Sequence, residues 1–387
     1  MQKTLAALAV CSAFAGSAVA ADVTLYGILD TGVGYSHVDF DGLKEKTDTF
    51  SMMSGQASGS RWGLKGSEDL GNGLTVGFIL ESGFESDTGA NSSNTAFFNR
   101  ESSLYLQGGF GKIGFGRMGA FNNGQSSWAK IGMISAFGTS SWGGYSAQLG
   151  NLMSTAGQWN NMIAYETPDF AGFKVFAQYG MGSNGHENES SSDRFYAIGA
   201  SYNNGPIAAY LAVDSINYQT AGAKQPEGFD IDDSLTITLG GSYDFEVAKV
   251  YLGAQYFDEV TLNSIGGITK TAAAGEKTDT NVAFGDFFKV KGYGISLSAD
   301  APVAGGKAMF GLGYVDAKLA DSMKKDAEGI DVDLTRYAAS VGYDYPFSKR
   351  TDVYAVASYM QDKIEADKND KVDLSAYTLY VGLRHRF

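Results

Sequence analysis

"SAYTLYVGLRHRF", residues 375–387, closes the chain. Counted back in twos from Phe387, one face carries His385, Leu383, Val381, Leu379 and Tyr377; between them stand Arg386, Arg384, Gly382, Tyr380 and Thr378. Period-two alternation over this length marks a β-strand with two unlike faces. One face is apolar, the other polar with two arginines, and the strand stops on an aromatic residue. A soluble sheet explains the alternation and leaves the terminal ring without a reason.

The same pattern recurs along the chain. "SLTITLGGSY" (234–243) sets Leu235, Ile237, Leu239 and Tyr243 against Thr236, Thr238, Gly240 and Ser242. "GYGISLSAD" (292–300) and "RYAASVGY" (336–343) alternate likewise. With 51 glycines and only 5 prolines, the composition is that of an all-β chain with few strand breakers and small residues on one face.

Residues 1–20, "MQKTLAALAVCSAFAGSAVA", read as a secretory signal: Lys3, a short apolar stretch, then Ala18 and Ala20 at a cleavage site. The only cysteine, Cys11, would leave with it, so the exported chain 21–387 relies on a large cooperative structure rather than disulfides. Loss of Lys3 makes the balance more negative than −14, which argues against nucleic acid and anionic membrane surfaces as partners. No later apolar run reaches the ~20 residues of a membrane helix, but a barrel strand meets lipid only at every second residue.

Seven short, turn-rich connections, among them "GGFGK" (108–112), "NNGPI" (203–207) and "YPFSKRT" (345–351), alternate with eight long polar segments. These lie near 36–57, 85–96, 118–159, 182–192, 215–233, 258–289, 316–335 and 361–374. Fifteen connections join sixteen strands. An even strand count with short turns at one end and long loops at the other is the layout of an outer-membrane barrel. Lipid offers no partner to an open sheet edge, so the sheet must close. Sixteen strands leave a water-filled interior, and the 22 Tyr, 24 Phe and 4 Trp supply two interfacial girdles. The expected fold is therefore an all-β, 16-stranded antiparallel transmembrane β-barrel with short periplasmic turns and long extracellular loops. A secreted β-sandwich or β-helix explains neither the alternating loop lengths nor Phe387.

"VTLYGILDTGVGY" (23–35), "SRWGLKGSEDLGNGLTVGFILE" (60–81), "GGFGKIGFGRMG" (108–119), "YETPDFAGF" (165–173), "YNNGPIAAYLA" (202–212) and "VGLRHRF" (381–387), in this order, resemble the general porins of Gram-negative outer membranes, the trimeric kind found in neisserial and related bacteria. The likeness spans essentially all of 21–387. It implies passive diffusion of small hydrophilic solutes and ions, a homotrimer in contact with outer-membrane lipid and lipopolysaccharide, and a third loop folded into the barrel. A terminal aromatic residue such as Phe387 also resembles the tag by which such barrels are handed to the barrel-assembly machinery.

Segment 118–159 is unusual in its own right. Connections this long are functional or disordered, yet it holds Trp128, Ile131, Ile134, Phe137, Trp142, Leu149, Leu152 and Met153. So apolar a loop must pack on something: the inner wall, or, on the competing reading, an external lid or trimer contact. It contains no Asp or Glu, and Lys130 is its only formal charge.

With Trp62 and Leu64 in the lipid phase, Arg61 and Lys65 face the lumen; a charge in lipid at mid-depth would cost about 2–4 kcal/mol. By family position, Arg61, Arg100 in "FFNRESSLYLQ" and Arg117 in "GFGRMG" resemble residues of the narrow zone. Alternation with Leu104 and Leu106 points Glu101 inward instead, so Arg100 requires a bulge. The lumen-phase acids are Asp30, Glu81, Glu166, Asp214 and Asp300, of which Glu166 and Asp300 stand beside short turns. An acid-free loop beside Arg61, Lys65 and Arg117 leads to an expected mild anion preference.

Catalysis needs a histidine with a partner. His37 and His186 fall in expected loops and His385 in the lipid phase, none near a nucleophile or in a metal-ligand pattern, so no enzyme, cofactor or metal is expected. "GGFGKIG" is no phosphate loop, since Ile113 follows Lys112 and position 106 is Leu. A substrate-specific channel, or a surface receptor or adhesin, is the alternative; "EGFDIDD" (227–233) and "EGIDVD" (328–333) would then hold divalent cations bridging to lipopolysaccharide.

Overall fold

The computed structural model describes residues 23–41, 45–182, 189, 192–218, 232–262, 289–326, 332–366 and 370–387. The expected export signal 1–20, His186 and most of both acidic clusters lie outside them. The described strands are β1 (Thr24–Asp41), β2 (Glu45–Ser54), β3 (Arg61–Gly71), β4 (Leu74–Gly83), β5 (Glu101–Gly108), β6 (Gly111–Gly119), β7 (Gln158–Glu166), β8 (Phe173–Gly180), β9 (Arg194–Asn204), β10 (Ile207–Asn217), β11 (Leu235–Asp244), β12 (Lys249–Val260), β13 (Val290–Val303), β14 (Gly306–Leu319), β15 (Val332–Pro346), β16 (Thr351–Ala366) and β17 (Asp370–Arg386). Each pairs antiparallel with its chain neighbours, except that β2 and β3 do not pair with each other.

Strand β1 closes the sheet. Its residues Ile28–Asp41 pair with Arg386–Asp373 of β17 on one side. On the other side, Thr31–Phe40 pair with β2 and Thr24–Ile28 with β3. Strands β2 and β3 are thus two halves of one wall position, and the wall has sixteen positions. Residues 55–60 interrupt this second position. Gly55 turns at φ 67, and the segment folds inward over Asp30, whose Oδ2 accepts the backbone N–H of Ala57 (3.1 Å) and Ser58 (2.7 Å).

Both faces follow from the alternation. Ile198, Leu239, Leu252 and Leu379 point outward and are exposed in the isolated barrel, where lipid would cover them. Exposed rings gather at two levels. At the short-turn end stand Phe110, Phe170, Tyr243, Phe245, Tyr345 and Phe347; at the other end stand Tyr196, Tyr256, Tyr293, Tyr337, Tyr359 and Tyr377. Between β3 and β4, Asn72 (φ 53) and Gly73 (φ 75) make a tight hairpin turn that matches strand twist.

Two expected long loops are strands instead. Segment 36–57 continues β1 to Asp41 and resumes as β2 at Glu45; segment 361–374 continues β16 to Ala366 and resumes as β17 at Asp370. Their polar composition suggests loops, but beyond the lipid both faces of a hairpin are wet and polarity no longer opposes a strand. Cross-strand pairs hold these tips: His37 stacks on Tyr377 at 4.9 Å, and Lys371 meets Glu365 at 2.6 Å. His37 accordingly lies in β1 rather than in a loop.

Candidate pore constriction

The third long connection runs from Ala120 to Gly157 between β6 and β7. It includes a 3-10 turn, η1 (Ile131–Ile134), and a short helix, α1 (Leu149–Leu152). Trp128, Ile131, Ile134, Leu149, Leu152 and Met153 are all buried to 1% exposure or less. Each fully buried side chain of this kind contributes about 1.5–3 kcal/mol, and the wall glycines they meet, Gly114, Gly240, Gly253 and Gly313, are on the inward phase. The loop lies inside the barrel, on the inner wall.

The wall receives it with small residues. Ile134 lies against Gly240 and Gly253, Leu152 against Gly313, and Trp128 against Gly114; a side chain at Gly313 or Gly114 would collide with the loop residue facing it. Polar wall residues then stitch the loop backbone. Ala136 N–H donates to Ser298 Oγ (2.9 Å), Ala147 N–H to Ser340 Oγ (2.7 Å) and Ser154 N–H to Gln255 Oε1 (2.7 Å). The interrupted second position also takes part: Trp142 N–H donates to Gln56 O (2.9 Å) and Gly143 N–H to Gln56 Oε1 (3.0 Å). Hydrogen bonds to wall side chains spare the loop the cost of burying unpaired backbone.

Two of the sequence-derived acids belong to this stitching. Asp30 is fully buried; besides Ala57 and Ser58 it accepts a hydrogen bond from Tyr354 OH (2.6 Å). Asp214 is buried too and takes hydrogen bonds from Asn122 Nδ2 of the loop and from Thr236 Oγ1 (2.6 Å). Both face inward, as the alternation requires, but neither lines the open channel, because folded chain covers them. The deepest tie is Arg336, 1% exposed, which binds Asp362 through Nε and Nη2 (2.6 Å each) and donates from Nη1 to Asn151 O of α1 (2.7 Å).

A cluster of inward charges gathers on the early strands. Glu81 of β4 stands between two arginines: Arg100 Nε at 2.6 Å and Arg61 Nε at 3.4 Å. Tyr26 OH also donates to it (2.9 Å). From the loop comes an amide rather than an acid, Gln125 Oε1 accepting from Arg100 Nη1 (3.1 Å). The group thus holds two guanidiniums and one carboxylate. Arg100 needs no bulge: it precedes β5 and is free of strand alternation, while Glu101 takes the inward position. Glu101 is spent on the loop, accepting from Ser127 N–H and Oγ–H (2.8 Å each).

Arg117 departs from expectation. It pairs with Ser102, two places from the Phe115–Leu104 pair, so it shares their outward phase. There it donates to Asn99 O (2.8 Å) and Asn160 Oδ1 (2.6 Å). The family position suggested the lumen, but Phe115 and Met118, outward and buried inward respectively, bracket Arg117 and settle its side.

The remaining candidates lie toward the short turns. Lys65 is exposed on the inward face, its Nζ 5.1 Å from the Tyr26 ring. Lys130 and Lys174 meet Glu166 at 2.5 and 2.9 Å. Asp300 accepts from Tyr251 OH (2.8 Å) near the turn joining β13 and β14. Arg384, missed as a site residue although its inward phase was readable, is shared by Asp352 and Asp344 (2.9 Å each) and donates to Ser58 Oγ (2.8 Å). At the seam, Phe387 and Gly27 exchange two backbone hydrogen bonds of 3.1 Å, with the Phe387 ring lying over the space a side chain at residue 27 would fill. Among the described residues no group of three or more His, Cys, Asp or Glu could hold a metal ion.

A closed barrel, apolar outside, polar inside and narrowed by its own third loop, defines an outer-membrane channel through which solutes diffuse. A family model described as Gram-negative porin matches residues 4–365, and the chain belongs to that family. It is 35% identical to an outer membrane porin protein of Bordetella pertussis over the full length of both chains. It is 30% identical to outer membrane porin protein 32 of Delftia acidovorans, over 94% of this chain and 90% of that one. Among solved structures, the anion-selective porin from Comamonas acidovorans aligns with a TM-score of 0.63 at 25% identity, over 95% of this chain and 100% of that one. The protein is thus an outer-membrane porin, a multi-pass β-barrel.

Proposed function

We propose that this porin is a homotrimeric general diffusion channel for small hydrophilic solutes with a mild preference for anions. One observation carries the preference: Arg61 and Arg100 share a single carboxylate, Glu81, beside a loop without acidic residues. A narrow channel between low-dielectric walls concentrates the field of such an excess charge. The anion-selective porin from Comamonas acidovorans supports the same reading. Trimerisation is supported by an apolar patch on the outer wall, where Trp62, Phe97 and Phe98 pack edge to face at 4.9–6.4 Å with Phe97 largely exposed. On this reading residues 1–20 direct export, Phe387 addresses the chain to the assembly machinery, and lipopolysaccharide surrounds the upper girdle. The chain works as a channel and not as an enzyme.

Reversal potential across a chloride gradient, measured on purified protein in planar bilayers, tests the preference. A potential of anionic sign is expected; clear cation selectivity would refute it. Crosslinking in detergent tests the trimer, for which a monomer alone would be the contrary result.

A further inference from the structure

Beneath the third loop, at the short-turn end, lies a cavity of about 480 Å³ that the constriction does not use. Its walls include Lys112 of β6, Lys174 of β8, Lys130 and Trp128 of the loop, Glu166 of β7 and Gln107 of β5. All the strand residues among them are on the inward phase, so the cavity is a niche in the lumen wall, roofed by the loop and facing the periplasmic mouth.

Its chemistry is that of an oxyanion site. Three lysines share its lining with two carboxylates, Glu166 and Asp169 on the adjoining turn, which leaves a positive excess. Lys130 and Lys174 each give one contact to Glu166, and an ammonium has three protons to donate. Lys112 has no carboxylate within ion-pair distance among the described residues; its Nζ lies 4.2 Å from the Trp128 ring and 4.3 Å from the Tyr105 ring. Trp128 is 1% exposed, and its indole N–H has no acceptor among the described residues. The nitrogen is enclosed, so what the ring offers the niche is its face, against the Lys112 ammonium.

We propose that this niche is a binding subsite for small oxyanions, held by the ammoniums of Lys112, Lys130 and Lys174. An anion that has passed the constriction would pause here before leaving. The proposal deepens the diffusion-channel reading and rests on it, but it does not require the constriction itself to be anion-selective.

The test is single-channel current in a chloride salt, with inorganic phosphate titrated into the chamber at the short-turn side. The expected result is a saturable fall in current. Lys112→Met should raise the half-blocking concentration roughly tenfold, the loss of one charge-assisted hydrogen bond. Lys112→Arg, which keeps the charge, should restore most of the block. Lys249→Met serves as a control, since that lysine lies at the same end of the lumen, 5.2 Å from the Tyr251 ring and outside the niche; it should leave the half-blocking concentration as it is. A fall that never saturates, or one equal in Lys112→Met and wild type, would overturn the proposal. So would a block abolished by Arg61→Gln and untouched by Lys112→Met, which would place the phosphate at the constriction. A cation-selective reversal potential accompanied by a Lys112-dependent block would refute the selectivity reading and support the niche.

Discussion

Arg336 offers the sharpest test of how the third loop is held. Its guanidinium and the Asp362 carboxylate are 1% and 2% exposed, joined by two 2.6 Å hydrogen bonds, with a third bond of 2.7 Å to Asn151 O of the loop. Arg336→Leu removes all three and leaves Asp362 without its guanidinium in a place water barely reaches. Breaking a buried pair from one side costs about 3–5 kcal/mol, whereas replacing both partners with apolar residues is often close to neutral. The double variant Arg336→Leu/Asp362→Leu should therefore recover most of the loss. A residue of roughly 1–2 kcal/mol should persist, since the Asn151 carbonyl loses its charged donor in both variants. The assay is equilibrium unfolding in denaturant, followed by tryptophan fluorescence, because Trp128 and Trp142 report directly on the loop. Current noise in bilayers should rise in both variants as α1 loosens from the wall. A single variant within about 1 kcal/mol of wild type would refute this account, as would a double variant no more stable than the single one.

At the constriction, a unit charge about 8 Å from a passing ion, at an effective dielectric constant of about 40, is worth about 1 kcal/mol. Arg61→Glu should then lower the anion-to-cation permeability ratio at least several-fold with assembly unchanged, as read by reversal potential; an unchanged ratio would remove Arg61 from the conduction path. Gly313→Val forces a branched side chain against Leu152; it should cost about 1–3 kcal/mol and reduce single-channel conductance by pushing α1 into the lumen, and normal conductance would show that the loop has slack. Deleting Phe387 removes two backbone bonds and the ring at the seam; the yield of inserted protein should fall while conductance per channel stays the same, and a normal yield would deny the residue its part in assembly.

Most of the barrel was legible because lipid imposes one simple rule on every second residue. Leu379, Val381 and Leu383 can face only lipid, and their neighbours on β17 then face the lumen. The same rule placed Arg61 and Lys65 inward and, followed strictly, would have placed Arg117 outward beside Phe115. Family position was preferred to alternation there, and alternation was right. Arg100 shows the limit of the rule: it precedes its strand, so no phase constrains it. Asp30 and Asp214 show a different limit. Alternation reveals which side of the wall a residue is on, but not whether another part of the chain lies over it. What covers them, the inward fold at 55–60 and the third loop, is held by contacts distant in sequence, such as Asn122 with Asp214 and Ala57 with Asp30.

This division between covered and open wall also shows how a strongly acidic chain can carry the anion preference proposed above. Asp30, Asp214, Glu101 and Asp362 are all inward acids, yet each accepts hydrogen bonds from the loop, the 55–60 fold or Arg336, and none faces the open channel. Other acids, such as Asp48 and Glu365, sit on the extended hairpins at the long-loop end. At physiological salt, charges more than about 8 Å from an ion's path are largely screened. On the proposed reading, the field an ion meets in the narrow part is then set by Arg61, the more exposed of the two arginines, together with Glu81 and the largely buried Arg100. The net charge of the chain bears on its solubility and its surface; on the proposed reading, the sign of the channel follows from which carboxylates the third loop has already claimed.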